Sequence, residues 1–100
     1  MHPLVIGETR PKGSGVIAVT EPSTGKPMDE VAAAGPADID AAVAAAKKAL
    51  PHWSGLTPFA RGEALYRFSD LVRAHAEELA TLEARNGGHP IGDARWEANH

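Results

Sequence analysis

Cysteine is absent from this 100-residue chain, which excludes a disulfide framework, a thiolate metal site and a thiol nucleophile. Large apolar side chains are also scarce. The hydrophobic share is 43%, yet nineteen of those positions are Ala, leaving twenty-four larger residues, of which nineteen are Leu, Ile, Val or Phe. Burial of so few large groups has to offset the conformational entropy of ordering the whole chain. The sequence therefore predicts a thin core that needs a partner surface to complete it. A basic excess is missing too. Ten Lys and Arg face thirteen Asp and Glu, for a net charge of −3, and the cations are scattered, so no nucleic-acid partner is expected. No long apolar run occurs, and Met1 to Gly7 lack both a basic flank and an apolar stretch, which predicts a soluble, unexported, cytoplasmic protein with no membrane partner. At 10.5 kDa there is no room for a cofactor domain and a substrate domain together.

What is present changes character near Gly35-Pro36. The first third is punctuated by Gly and Pro, whereas residues 36–98 are rich in Ala, Leu, Glu, Arg and Lys. Leu4-Val5-Ile6 and Val16-Ile17-Ala18-Val19-Thr20 read as strands, and a weaker third spans Met28 to Ala32. Glu21-Pro22-Ser23-Thr24-Gly25 reads as a turn, with Pro22 presetting φ and Gly25 able to take positive φ. A small antiparallel meander over 1–35 results. Pro36 suits the first position of a helix whose apolar face is Ile39, Val43, Ala46 and Leu50. Asp38 and Asp40 lie in its first turn and Lys47 and Lys48 near its end, each complementing the helix dipole. Pro51 predicts where it stops. Thr57-Pro58 then gives a cap and first-turn proline for a helix with the stripe Leu65, Phe68, Leu71 and Val72. The pattern continues through Ala76, Leu79 and Leu82 to Gly87-Gly88, with a break expected at Ala74 to Ala76. Pro90 can open one more helix, bringing the total to three or four. There is no internal repeat.

Candidate chemistry is sparse. His2, His52, His75, His89 and His100 lack the spacing of a metal site. Gly13-Ser14-Gly15 precedes a strand and so cannot aim helix N–H groups at a phosphate. Ser23-Thr24-Gly25-Lys26 lacks the upstream Gly and the hydroxyl residue after Lys of a phosphate loop, Pro27 standing there instead. Glu77, Glu78 and Glu83 with Arg73 and Arg85 read as solvated i, i+4 pairs. Trp53 and Trp96 read as packing anchors.

Taken in order, these segments resemble the N-terminal part of the NAD(P)-dependent aldehyde dehydrogenase superfamily. Glu21-Pro22-Ser23-Thr24-Gly25-Lys26 is similar to that family's Asn-Pro-Ala-Thr-Gly-Glu turn. The stretch Ala37-Asp38-Ile39-Asp40-Ala41-Ala42-Val43 is similar to its Asp-Val-Asp-x-Ala-Val helix. Trp53-Ser54, Arg61, Ser69-Asp70-Leu71, Leu79-Ala80, Leu82-Glu83 and Gly88-His89-Pro90 follow in register. Glu21 stands for the usual Asn, His89 for the usual Lys, and Gly35 where a hydroxyl or acidic cap is common.

The resemblance implies an α/β fold, Rossmann-type in the complete protein, with residues 1–100 forming the outer N-terminal part of its nucleotide-binding domain and the catalytic domain absent. It implies oxidation of an aldehyde to a carboxylate with NAD or NADP. The catalytic Cys, Glu and Asn and the nucleotide-holding Lys and Gly-rich turn have no counterpart here, so no catalytic, cofactor-binding or metal-ligating residue is assigned. Some members hold a monovalent cation on main-chain carbonyls that would fall at Val19 and Thr20, but Ala98 stands where the assisting acid does. The implied partners are the remainder of the polypeptide or a like subunit, with a homo-oligomer when complete. A standalone helical interaction module is the rival expectation.

Overall fold

The computed structural model describes residues 1–100. It contains an antiparallel pair, β1 (Gly15–Glu21) and β2 (Lys26–Ala33), followed by α1 (Pro36–Gly55), α2 (Pro58–Ala74), α3 (Ala76–Gly87) and α4 (Ile91–Asn99). The compositional shift at Gly35-Pro36 coincides with the start of the first helix. The backbone forms two compact units: residues 1–19 with 29–56, and residues 20–28 with 57–100.

In the first unit, Leu4-Val5-Ile6 is not a third strand. His2 bridges Val31 in parallel and Ile6 bridges Thr9 across a tight turn at Gly7, whose φ is 56°. The reversal at Gly7 and the bond from Leu4 N–H to Pro11 O, at 2.9 Å, fold the run back on itself before a regular ladder can form. His2 N–H donates to Glu30 O at 2.8 Å and Ala32 N–H to His2 O at 2.9 Å. Gly13 is positioned by necessity: its φ is +70°, and a Cβ there would lie 2.3 Å from Ala33 O.

Helix α1 starts at Gly35, which offers no side-chain oxygen as a cap. The Asp38 carboxylate instead accepts from Gly35 N–H at 2.9 Å, the reverse leg of a capping box. Pro51 does not end this helix, as the sequence had suggested, but sits inside it. Proline's fixed φ is helical, so its cost is the lost N–H and crowding of the carbonyl four residues back. Ser54 Oγ bonds Pro51 O at 3.3 Å, and the helix runs on until Leu56 N–H meets Trp53 O.

In the second unit, Pro22 to Gly25 turn the hairpin, with Gly25 N–H to Glu21 O at 2.8 Å and Gly25 at φ 67°. Thr57 Oγ1 accepts from Ala60 N–H at 3.1 Å and so caps α2. The expected break falls at His75, whose φ of −110° and ψ of 17° leave the helical region. Gly88, left-handed at φ 71°, ends α3.

The core is made of alanine. Ala76 and Ala80 of α3, Ala94 of α4 and Ala32 of β2 are buried, and no larger apolar side chain is. Methyl-sized side chains let the α3 and α4 backbones approach closely, and the small burial is all they supply. The accessible area is 7584 Å², whereas two separately compact bodies of half the mass would together expose about 6,500 Å².

Candidate functional site: unpartnered helical faces

A nucleotide cradle requires a glycine turn that opens a helix after a strand, so that free N–H groups face the phosphate. Gly13 leads into β1, Gly25 lies in the hairpin turn and Gly88 joins two helices. Gly35 alone stands between a strand and a helix, at the cap position where the sequence placed it. Its N–H is taken by Asp38, Pro36 at the next position has no N–H, and a Cβ on Gly35 would lie 2.9 Å from Ser14 Oγ. The α1 N-terminus is thus filled by the chain's own carboxylate, which repels a phosphate. These residues do not fit a dinucleotide.

Two surface ion pairs link elements of the second unit. Arg95 grips Glu77 through Nε at 3.0 Å and Nη2 at 2.8 Å, tying α4 to α3. That hydrogen bonding holds the Glu77 carboxyl below its ordinary value and raises the Arg95 guanidinium. Arg85 Nε donates to Glu21 Oε1 at 3.2 Å, joining α3 to the hairpin turn. The i, i+4 pairing expected for these charges is therefore replaced by links across 18 and 64 residues. Separations of that size leave no mark in one sequence, although the substitution of Glu21 for Asn was a visible clue. Near the N-terminus, Glu30 N–H and the His2 ring both bond the Asp29 carboxylate, His2 Nε2 at 2.6 Å, and lower its pKa.

The histidines lie apart, on different partners. His75 Nδ1 is 3.2 Å from Glu78 Oε2. His89 Nδ1 lies 3.7 Å from Glu83 and 3.8 Å from Glu97. His100 stacks on Trp96 with ring centroids 4.7 Å apart. No group of three His, Cys, Asp or Glu side chains is arranged to hold a metal. Val19 and Thr20 lie inside β1.

What remains is apolar surface. Along α1, Ile39, Val43, Leu50 and Trp53 fall within about 80° of arc at 100° per residue, and all four are exposed. In α2 the stripe Leu65, Phe68 and Leu71 is exposed as well, Phe68 at 65%, and Trp96 of α4 at 64%. Between α3 and α4 runs a groove of about 360 Å³ walled by Leu79, Leu82, Ala94 and Ala98, with Glu83, Asn86 and Glu97 among its polar groups. Rows of large apolar groups left in water mark surfaces that are normally covered. No helix is long and apolar enough to cross a membrane.

The model of the aldehyde dehydrogenase family matches residues 9–100. A betaine aldehyde dehydrogenase of Rhizobium etli is 42% identical over 76 residues, which are 76% of this chain and 16% of that protein. A hydroxyisobutyraldehyde dehydrogenase of Mycolicibacterium austroafricanum is 40% identical over 92 residues, 91% of this chain and 18% of its own length. Among solved structures, PnpE in complex with nicotinamide adenine dinucleotide superimposes with a TM-score of 0.88 at 43% identity, covering 94% of this chain and 20% of that one. The chain thus spans about a sixth to a fifth of the length of the proteins it matches.

Proposed function

Because the chain belongs to the aldehyde dehydrogenase family, whose N-terminal segment it matches in sequence and fold, we infer that it is the non-catalytic N-terminal part of an NAD(P)-dependent aldehyde dehydrogenase. The complete protein then oxidises an aldehyde to a carboxylate with NAD or NADP, and residues 1–100 form an outer part of its nucleotide-binding domain. One observation carries this assignment: the helices expose rows of large apolar side chains while burying only alanine. A segment whose packing partners lie elsewhere in a longer polypeptide, or on a like subunit of a homo-oligomer, has that pattern. Relatives about five times longer supply the context. A cytoplasmic location accords with such an enzyme. The matched relatives are named for different aldehydes, and this segment singles out none of them.

Within residues 1–100 no side chain takes a catalytic, cofactor-binding or metal-binding role. An aldehyde oxidation needs an activated nucleophile and a hydride acceptor held beside it; the chain has no thiol, and its strand-to-helix glycine is closed by Asp38. The test is a calorimetric titration of NAD and NADP into the purified chain, followed by an absorbance assay with a panel of aldehydes. No binding and no turnover are expected, with both gained when the chain is extended by a relative's downstream sequence. Saturable dinucleotide binding by the 100-residue chain would overturn the assignment. A sharp cooperative thermal transition of a monomer with little dye binding would favour the interaction module instead.

A further inference from the structure

The connection from α3 to α4 reads Arg85-Asn86-Gly87-Gly88-His89-Pro90. Asn86 and Gly87 form the last turn of α3, and Asn86 is exposed on the wall of the α3–α4 groove. An asparagine amide carbon can close a five-membered imide with the backbone nitrogen of the next residue. Closure is limited by what that residue carries. Glycine carries no Cβ and has the freest backbone. A helical ψ near −42° holds that nitrogen away from the amide carbon, so the ring closes only when the turn opens. Helix ends are where opening is cheapest. Here Gly88 N–H to Ala84 O at 3.0 Å holds the end, and two glycines follow Asn86 before the next side chain.

We propose that Asn86–Gly87 is a self-modification site, converting Asn86 to aspartate and isoaspartate. The Gly87 nitrogen, its proton removed by base, attacks Asn86 Cγ. A new bond forms between that nitrogen and Cγ, the bond from Cγ to Nδ2 breaks, and the amide nitrogen leaves as ammonia with a proton from water. Water then opens the imide at either carbonyl, giving the two acids without any change of oxidation state. Both products place a carboxylate at the negative end of the α3 dipole, on the same groove as Glu83 and Glu97. The isoaspartyl route also inserts a methylene into the backbone just ahead of left-handed Gly88. Each change loosens the joint between α3 and α4.

The test incubates the full 100-residue chain in mildly alkaline buffer and follows each asparagine by peptide mapping, with an isoaspartyl methyltransferase assay for the rearranged product. Asn99 is the only other asparagine. It precedes His100, and its amide donates to Arg95 O at 2.8 Å, so it serves as the internal control. Conversion at Asn86 is expected at least about tenfold faster than at Asn99, because Gly87 lacks the Cβ that His100 carries. In Gly87→Ala the new Cβ would meet Glu83 Oε1 at 3.3 Å, the end of a flexible side chain, so the helix is retained and conversion falls to the Asn99 level. Equal rates at the two asparagines, conversion of Asn86 only after denaturation, or undiminished conversion in Gly87→Ala would each overturn the proposal.

Discussion

Replacing Ala80 with glycine measures what holds α3 to α4. Ala80 is 1% exposed and Ala94 2%, so the substitution removes one fully buried methyl group and places glycine inside a helix. The methyl contributes about 0.8 kcal/mol and the helical backbone about 0.9, together about 1.7 kcal/mol or a twentyfold shift in the opening equilibrium. Ala44 of α1 is exposed, so Ala44→Gly supplies the backbone part alone, about 0.9 kcal/mol. Amide hydrogen exchange resolves each helix separately and is the appropriate assay. Ala80→Gly should raise exchange across both α3 and α4, whereas Ala44→Gly should act within α1 only. If Ala80→Gly costs no more than Ala44→Gly, or leaves α4 untouched, the alanine contact is not what joins the two helices.

Gly13→Ala should destabilise the first unit by more than about 2 kcal/mol, since a left-handed non-glycine residue is strained and the new Cβ would collide with Ala33 O; loss of exchange protection at the Ser14 amide, which bonds Ala33 O, reads it. Acid should loosen α3 from α4. The Glu77 carboxyl is lowered from 4.5 by its bond to Arg95, so the stability it contributes is complete above that value and is lost as pH falls through the folded value below it; Glu77→Gln should abolish this pH dependence of α4 protection. Pro51→Ala should raise α1 helicity by circular dichroism and stabilise the helix by up to about 3 kcal/mol, and an unchanged or weakened helix would show that Pro51 is positively required.

Local chemistry was legible where it acts over a few residues. Thr57 before Pro58, Gly25 after the Pro22 turn, the break at His75 and Gly88 behind α3 all depend on backbone preferences within one turn, and each lies where the spacing placed it. Pro51 misled because proline forbids one hydrogen bond and not the helical φ, so the helix can run through it to Gly55. Leu4-Val5-Ile6 misled because the β-branched Val5 and Ile6 report a preference for extended backbone without naming a partner, and the turn at Gly7 left only the single bridge of Ile6 to Thr9. The link of Glu21 to Arg85 depends on the hairpin meeting α3 and that of Glu77 to Arg95 on α3 meeting α4, which no window of sequence contains. The candidate surface was legible in a different way, as a shortage. Counting alanine among the apolar residues anticipated a thin core, and the Leu65, Phe68 and Leu79 stripe is exposed as a shortage of partners implies, whereas Trp53 and Trp96, expected as packing anchors, are exposed too.

An alanine core also sets how the molecule responds to temperature. Heat capacity changes with the apolar area transferred to or from water, by about 0.45 cal/K/mol per Å². Folded, the chain exposes 7584 Å², against about 15,000 Å² unfolded and about 6,500 Å² for two compact bodies, so unfolding moves somewhat less area than it would for compact bodies and the stability curve is correspondingly flatter. Covering the exposed stripes would add to that signature: each 1,000 Å² of apolar surface withdrawn from water lowers the heat capacity by about 0.45 kcal/K/mol. The segment therefore adds further curvature once it has been covered, and a temperature optimum measured on a larger assembly would report that contact as well as residues 1–100 themselves.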